Sequence, residues 1–174
     1  MRNTQHGFTL VELLTAVAIV AILAGIATPT LRQFAANSRT TAANNSLVSA
    51  LATARSEALR RSVPVTVCAS SNAATCTGAA AIDWSNGWIA FTDASGTPGQ
   101  LDGTDVLLQA WPAPGGKMSV SGDANTLQYN ARGMANLGAK VTFKTWMQGC
   151  TGPNQIQIVV TVAGSPQNTH IACP

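Results

Sequence analysis

The sequence predicts an α+β protein in which one long N-terminal α-helix packs on an antiparallel β-sheet domain. Two observations lead to this class. Apolar and alanine-rich segments run at helical spacing from residue 8 to residue 61. Beyond residue 63 the pattern changes to short alternating segments separated by Gly, Pro, Asn and Asp, which is typical of strands and turns. At 174 residues the chain is long enough for one domain with a core and an appendage.

The first part of the helix, residues 8–27, is expected to cross a membrane. It contains a single charged residue, and at about 1.5 Å per residue its length matches the roughly 30 Å hydrocarbon core of a bilayer. No A-x-A site follows the apolar run, so an ordinary cleaved secretory signal is not indicated. Arg2 precedes the run and favours a cytoplasmic N-terminus. We therefore expect a membrane and assembly helix over residues 8–29 and an exported head domain over residues 30–174.

The second part of the helix, to about residue 62, is expected to be amphipathic and to pack on the sheet as the main core. Its predicted buried face consists of Leu47, Leu51, Ala54 and Ala58. Pro29 lacks a backbone donor and lies one turn after Gly25, which predicts a kink there. Pro64 ends the helix because it disfavours helical geometry at the preceding residue.

Eight short strands are expected after the helix. Gln155 to Ile158 alternates polar and apolar residues, as a half-buried strand should. The predicted strands cover residues 63–69, 88–92, 106–111, 117–120, 126–130, 141–146, 155–162 and 169–172.

Four cysteines indicate two disulfides and therefore folding in an oxidising compartment such as the periplasm. No C-x2-C is present and the chain has only two histidines, so a zinc site is not indicated. Four cysteines allow three pairings, which sequence alone does not decide. We favour Cys68 with Cys76 and Cys150 with Cys173, because these pairs close the shortest loops.

A single acid, Glu12, lies within the apolar first part of the helix. An ionised carboxylate in hydrocarbon costs a few kcal/mol or more, so it needs a partner or a proton.

The segment GFTLVELL, Gly7 to Leu14, resembles the processing and methylation motif of type IV pilins and type II secretion pseudopilins. The resemblance implies that residues 1–7 are a leader peptide, and that a prepilin peptidase cuts between Gly7 and Phe8 and methylates the new amine of Phe8. It also implies that Glu12 of an incoming subunit is attracted to the Phe8 amine of its neighbour during assembly.

The body of the chain narrows this resemblance. The segments ALATARSEALRRSVPVTVCAS, DWSNGWIAFTD and YNARGMA resemble the GspH/FimT group of minor pilins and pseudopilins. That group implies a lollipop-shaped pilin fold and a structural subunit without a cofactor. Its implied partners are other pilins, the prepilin peptidase and inner-membrane lipid before assembly.

The function implied is that of a minor pilin of the FimT/FimU kind, which helps to prime or cap a type IV pilus. The H pseudopilin of a type II secretion pseudopilus is the second interpretation, and a DNA-binding minor pilin for natural transformation is the third. The expected location is the bacterial inner membrane, with the head in the periplasm, and then the filament.

Neither an enzyme nor a metal site is indicated by the remaining residues. The chain has no G-x-S-x-G, Walker, G-x-G-x-x-G or H-E-x-x-H motif, so we assign no catalytic residue. Asp93, Asp102 and Asp105 lie close together, but their spacing departs from the EF-hand pattern and favours a solvated turn.

A DNA-binding patch is the remaining hypothesis. Lys140 and Lys144 alternate on one face of a predicted strand, and Lys117 and Arg132 are candidates to join them. DNA receptors of the family resemble one another in a G-R-x-R element near the C-terminus. Here Gly164 is present but no arginine follows it, which counts against DNA binding.

Overall fold

The computed structural model describes residues 8–78, 82–135 and 140–174, with the backbone alone for residues 26–30. The chain divides into two compact units, Met1–Ala36 and Asn37–Pro174. The boundary that the sequence analysis places after residue 29, between the membrane helix and the head domain, stays a prediction. The predicted leader and Gly7 lie outside the described residues.

The first element is one long helix, α1 (Leu10–Arg61). The kink expected at Pro29 falls among side chains outside the described residues, and it stays a prediction. Among the described residues no helix combines the length and apolar character needed to cross a membrane. The span expected over residues 8–27 is therefore not shown.

In the part of the chain that the structure describes, eight strands follow the helix, close to the eight that the sequence predicts. Their bounds are β1 (Val65–Ala69), β2 (Gly87–Thr92), β3 (Leu107–Pro112), β4 (Met118–Gly122), β5 (Thr126–Tyr129), β6 (Val141–Met147), β7 (Gln155–Val160) and β8 (Pro166–Ile171). The last strand begins three residues earlier than expected, at Pro166 rather than residue 169.

The strands form two antiparallel sheets rather than the single sheet expected from the sequence. The first sheet has the order β3-β2-β1-β5 and the second the order β4-β6-β7-β8. The chain moves to the second sheet at β4, returns to the first for β5 and then completes the second. Alternation along a strand indicates which face is buried but not which strand lies beside it, so the sequence did not reveal this division.

The core of the second unit forms where one face of α1 meets both sheets. Leu47, Leu51, Ala54 and Ala58 are fully buried, which confirms the predicted helix face. They belong to one cluster that also contains Val65, Val67 and Leu127 of the first sheet and Phe143, Ile158 and Val160 of the second. Each fully buried leucine stabilises the fold by about 1.5–3 kcal/mol. The helix therefore supplies the apolar surface that both sheets share.

A second, smaller core lies on the opposite face of the first sheet. Cys68, Ile89 and Phe91 are buried there, and Cys76, Leu101 and Ala110 pack against them. Cys68 is bonded to Cys76, and Cys150 is bonded to Cys173. This is the pairing that the short loops favour. The first disulfide thus attaches a loop, residues 70–78, to the outer face of the first sheet.

The C-terminal end of α1 contains a non-glycine residue in the left-handed region. Ser62, directly after Arg61, has φ 57°. Helices commonly end with glycine in this conformation, because a side chain is disfavoured there.

We therefore predict that Ser62→Gly raises the free energy of unfolding by about 0.5–1 kcal/mol, through relief of backbone strain at the helix end. Chemical denaturation followed by tryptophan fluorescence measures this change in the free energy of unfolding. The matched control is Ser56→Gly, which places glycine inside the same helix and should destabilise by several tenths of a kcal/mol. A Ser62→Gly variant no more stable than wild type would contradict this account of the helix end.

Candidate functional site

The first turn of α1 contains a helix cap that includes the lone acid. Thr9 precedes the helix, and its hydroxyl oxygen accepts a hydrogen bond from the amide of Glu12 at 3.2 Å. The spacing of Thr9 and Glu12 is that of a capping box, T-x-x-E, and an acid in the first turn also favours the positive end of the helix dipole. The Thr9 hydroxyl therefore caps the start of α1, and the Glu12 carboxylate interacts favourably with the helix dipole; the sequence analysis missed both features although the T-x-x-E motif is local.

Apolar side chains surround the first part of α1 on all sides. The large apolar residues of this region are 58–83% exposed; they are Phe8, Leu10, Val11, Leu13, Leu14, Val17, Ile19, Val20, Ile22 and Leu23. Phe8 and Glu12 lie one turn apart on a shallow groove that continues along Ala16 and Ile19. An apolar surface of this size indicates a cover from outside this unit, and an ionised carboxylate beneath such a cover needs a cationic partner.

Arg55 holds two loops against the end of the helix. Its Nε donates to the Gly133 carbonyl at 2.9 Å, Nη1 to the Ser165 hydroxyl at 2.9 Å and Nη2 to the Ala163 carbonyl at 3.1 Å. Both loops turn on glycines with positive φ, Gly133 and Gly164. A side chain at Gly164 would lie 2.4 Å from the Gly133 carbonyl oxygen, so only glycine allows this approach.

Glu57, two residues further along α1, pairs with both arginines of the last turn. Arg60 donates to the two carboxylate oxygens at 3.0 and 2.6 Å, and Arg61 donates to Oε2 at 2.6 Å. These bonds, the one from Arg60 first, lower the pKa of Glu57 from 4.5 to about 2. The pairs are solvent-exposed, so their contribution to stability is small.

The four candidate DNA-binding residues lie in β6 or in the segments around it, and the DNA-binding patch stays a prediction. Lys140, just before β6, and Lys144, within it, are exposed; they are four residues apart, a spacing that places both on the same face. Lys117 lies beyond the other end of β6, where its carbonyl accepts from the Gln148 amide. Arg132 is exposed in the loop that precedes the described start of β6. Asp123 lines the same small pocket as Lys144, which reduces the local positive charge.

The acidic loop at residues 93–105 uses its carboxylates internally. The Asp93 carboxylate accepts from the Gly99 amide at 2.8 Å, from the Gln128 side chain at 2.7 Å and from the Thr66 hydroxyl. Asp105 accepts from the amides of Ala94 and Ser95. In the described part of the chain no group of three acidic, histidine or cysteine residues is arranged to hold a metal ion. The acids organise the loop, and Asp93 does so from a buried position.

Comparison with known proteins places this chain among filament subunits. A family model described as Type II transport protein GspH matches residues 43–164, which is most of the chain. This chain belongs to the GspH family. A second model, the prokaryotic N-terminal methylation motif, matches residues 2–28 and therefore includes Phe8 and Glu12. The resemblance to the pilin and pseudopilin group is confirmed by these two matches.

Solved structures agree with the fold of this GspH family member. The type IV minor pilin FimU of Pseudomonas aeruginosa, in crystal form P65, is 21% identical; the match covers 74% of this chain and 91% of FimU, with a TM-score of 0.56. In crystal form P21, FimU is 19% identical; the match covers 84% of this chain and 93% of FimU, and the TM-score is again 0.56. At these identities the likeness shows the fold alone, and it confirms the predicted pilin-like α+β class. No curated protein sequence matches the chain significantly.

We predict that Arg55→Ala lowers the free energy of unfolding by about 1–3 kcal/mol, because three hydrogen bonds from a charged, partly buried donor are lost. Arg55→Lys keeps the charge but not the planar fork, and should recover only part of that loss. Denaturant unfolding measures both, with Arg132→Ala as an exposed-arginine control expected to stay within about 0.5 kcal/mol. Equal stability of wild type and Arg55→Ala would contradict the role of Arg55.

We predict that acidification weakens the end of α1 through Glu57. Because the pKa of Glu57 in the folded protein lies below its ordinary 4.5, the ion pairs add stability above pH 4.5 and lose it as the pH falls toward 2. The unfolding temperature of wild type should therefore fall more between about pH 6 and pH 3 than that of Glu57→Gln, which lacks this titration. Identical pH profiles for the two proteins would refute the effect.

Proposed function

We propose that this chain is a minor pilin subunit of a type IV pilus that helps to prime or cap filament assembly. The observation that carries the proposal is the exposed apolar start of α1, which contains one acid at its first turn and lies within the methylation-motif match. The likeness of the fold to FimU, which is described as a type IV minor pilin, supports the pilus rather than another filament.

Assembly follows from the chemistry of the first turn. Removal of residues 1–7 by a prepilin peptidase gives Phe8 a cationic amine, which methylation leaves cationic. Before assembly, the apolar residues of α1 are covered by inner-membrane lipid, where the Glu12 carboxylate is costly. In the filament, the helices of other pilins cover the same residues and the Phe8 amine of a neighbour compensates Glu12. Glu12 thus makes docking in one register more favourable than sliding to another.

A second candidate is the H pseudopilin of a type II secretion pseudopilus. The description of the matched family model, Type II transport protein GspH, favours it. Both candidates use the same helix and the same first turn, so these features do not separate them. A deletion strain scored for twitching and for secretion separates the two candidates. Loss of twitching with intact secretion supports the minor pilin, and the reverse result supports the pseudopilin.

We predict that Glu12→Ala lowers incorporation into sheared filaments by at least about tenfold, the equivalent of about 1.4 kcal/mol, while the total amount of the protein in the cell is unchanged. Immunoblots of filament and cell fractions measure the ratio. Glu12→Gln should behave like Glu12→Ala, because the charge is what the amine attracts. The control is Thr15→Ala, an exposed position one turn away. Normal incorporation of both Glu12 variants would contradict the assembly role.

We predict no binding of duplex DNA by the full chain at micromolar concentration and physiological salt. Lys140 precedes β6 and Lys117 lies beyond its other end, Asp123 lies beside Lys144, and no arginine follows Gly164. A gel shift with the protein in detergent tests this. A salt-sensitive shift that Lys140→Ala with Lys144→Ala abolishes would contradict it and would favour a DNA-uptake function instead.

A further inference from the structure

A groove lies on the outer face of the first sheet, between the loop at residues 70–78 and the loop at residues 93–105. Its volume is about 540 Å³, and the residues that matter for its chemistry are Thr75, Thr77, Gln100, Leu101, Asn125 and Thr126. This volume is within the range of about 300–1,000 Å³ that small-ligand sites occupy. We call it the loop groove.

The first wall of the loop groove is fixed by covalent and hydrogen bonds. Cys76 is bonded to Cys68 of β1, so the loop is attached to the sheet. Within the loop, the Asn72 side-chain oxygen accepts from the amides of Ala74 and Thr75. The Ser70 hydroxyl donates to the Thr75 carbonyl at 2.7 Å. Thr75 and Thr77 therefore have a defined position beside the groove.

The second wall depends on the buried carboxylate of Asp93. This carboxylate holds the amide of Gly99, which is next to Gln100, and also binds the side chains of Thr66 and Gln128 on the sheet. Leu101 packs into the small core beneath, against Cys68, Ile89 and Phe91. Both walls are thus set before any ligand arrives, which lowers the entropy cost of binding.

Among the described residues, the lining of the loop groove has no charged side chain. The side chains of Gln100, Asn125 and Thr126 line the groove and make no hydrogen bond within the described chain, and each of them can both donate and accept. Pro98 and Leu101 add apolar surface. A ligand that matches this lining carries neutral groups that also donate and accept, next to patches of C–H surface. Hydroxyl-rich sugar rings have this chemistry, whereas anions and cations find no counter-charge.

The floor of the loop groove fits a sugar better than an added peptide strand. Thr126 is paired with Cys68 in the β1–β5 register, and both side chains lie on the outer face of the first sheet. A peptide that extends a sheet binds the free backbone groups of an edge strand. The groove instead presents side chains of a sheet face and of two loops, so it offers separate hydrogen-bonding groups rather than a backbone ladder.

We propose that the loop groove binds a neutral saccharide. Gln100, Asn125 and Thr126 hydrogen-bond the sugar hydroxyls, and Leu101 and Pro98 contact the C–H face of a ring. The site does not depend on which filament the chain joins, because none of its residues belongs to α1. A subunit near a filament tip would thereby contact a neutral glycan surface.

The test is a titration of the ¹⁵N-labelled full chain in dodecylphosphocholine micelles, since glycoside detergents would compete. The probes are neutral tetrasaccharides built on glucose, galactose and N-acetylglucosamine, each beside a sulfated or sialylated counterpart. We expect at least one neutral probe to shift the amides of residues 75–77, 99–101 and 125–126, with an affinity insensitive to salt. Gln100→Ala with Asn125→Ala should weaken that affinity at least about tenfold.

The matched control is Gln148→Ala with Asn168→Ala, which removes the same two exposed amides away from the loop groove and should leave the affinity unchanged. Amide spectra of all variants without sugar report whether the fold is kept. No shift with any neutral probe up to about 10 mM would overturn the proposal. Tighter binding of the charged probes than of the neutral ones would also overturn it, and so would shifts at these amides with a neutral peptide but with no sugar. An equal loss of affinity in the control variant would overturn it as well.

Discussion

The structure depends on the burial of one face of α1 between two sheets. Leu47, Leu51, Ala54 and Ala58 are fully buried in one core cluster that also contains residues of both sheets. The two sheets share no strand, so this common core, to which the helix face contributes, holds them in one unit. The same helix begins with a segment whose apolar residues are exposed on every side. One half of the helix thus completes its own domain, and the other half requires a cover that the described chain does not supply.

The segment ARSEA, residues 54–58, joins this core to the loops at the end of the domain. Ala54 and Ala58 are buried and small, which lets the helix lie close to the sheets. Between them, Arg55 holds the loops at Gly133 and Gly164, and Glu57 holds the arginines of the last turn. A pattern that serves as a family signature in the sequence is thereby a structural device. It fixes the loops at the helix end.

Features that depend on local pattern could be predicted from the sequence, and features that depend on distant partners could not. Helical spacing identified the buried face at Leu47 and Leu51, and short loops favoured the observed disulfides. The division into two sheets was missed, because alternation does not identify neighbouring strands. Arg55 was missed as a clamp because its acceptors lie 78 to 110 residues away. The cap at Thr9 was missed although its pattern is local, because the acid at Glu12 was interpreted only through assembly.

The central claim is that the exposed start of α1 is covered by neighbouring subunits after the leader is removed. Mass spectrometry of this chain in sheared filaments measures that most directly. The account predicts a mature form that begins at Phe8 with a methylated amine and is enriched in the filament fraction. A chain that retains residues 1–7, or a processed chain that is absent from every filament fraction, would contradict it.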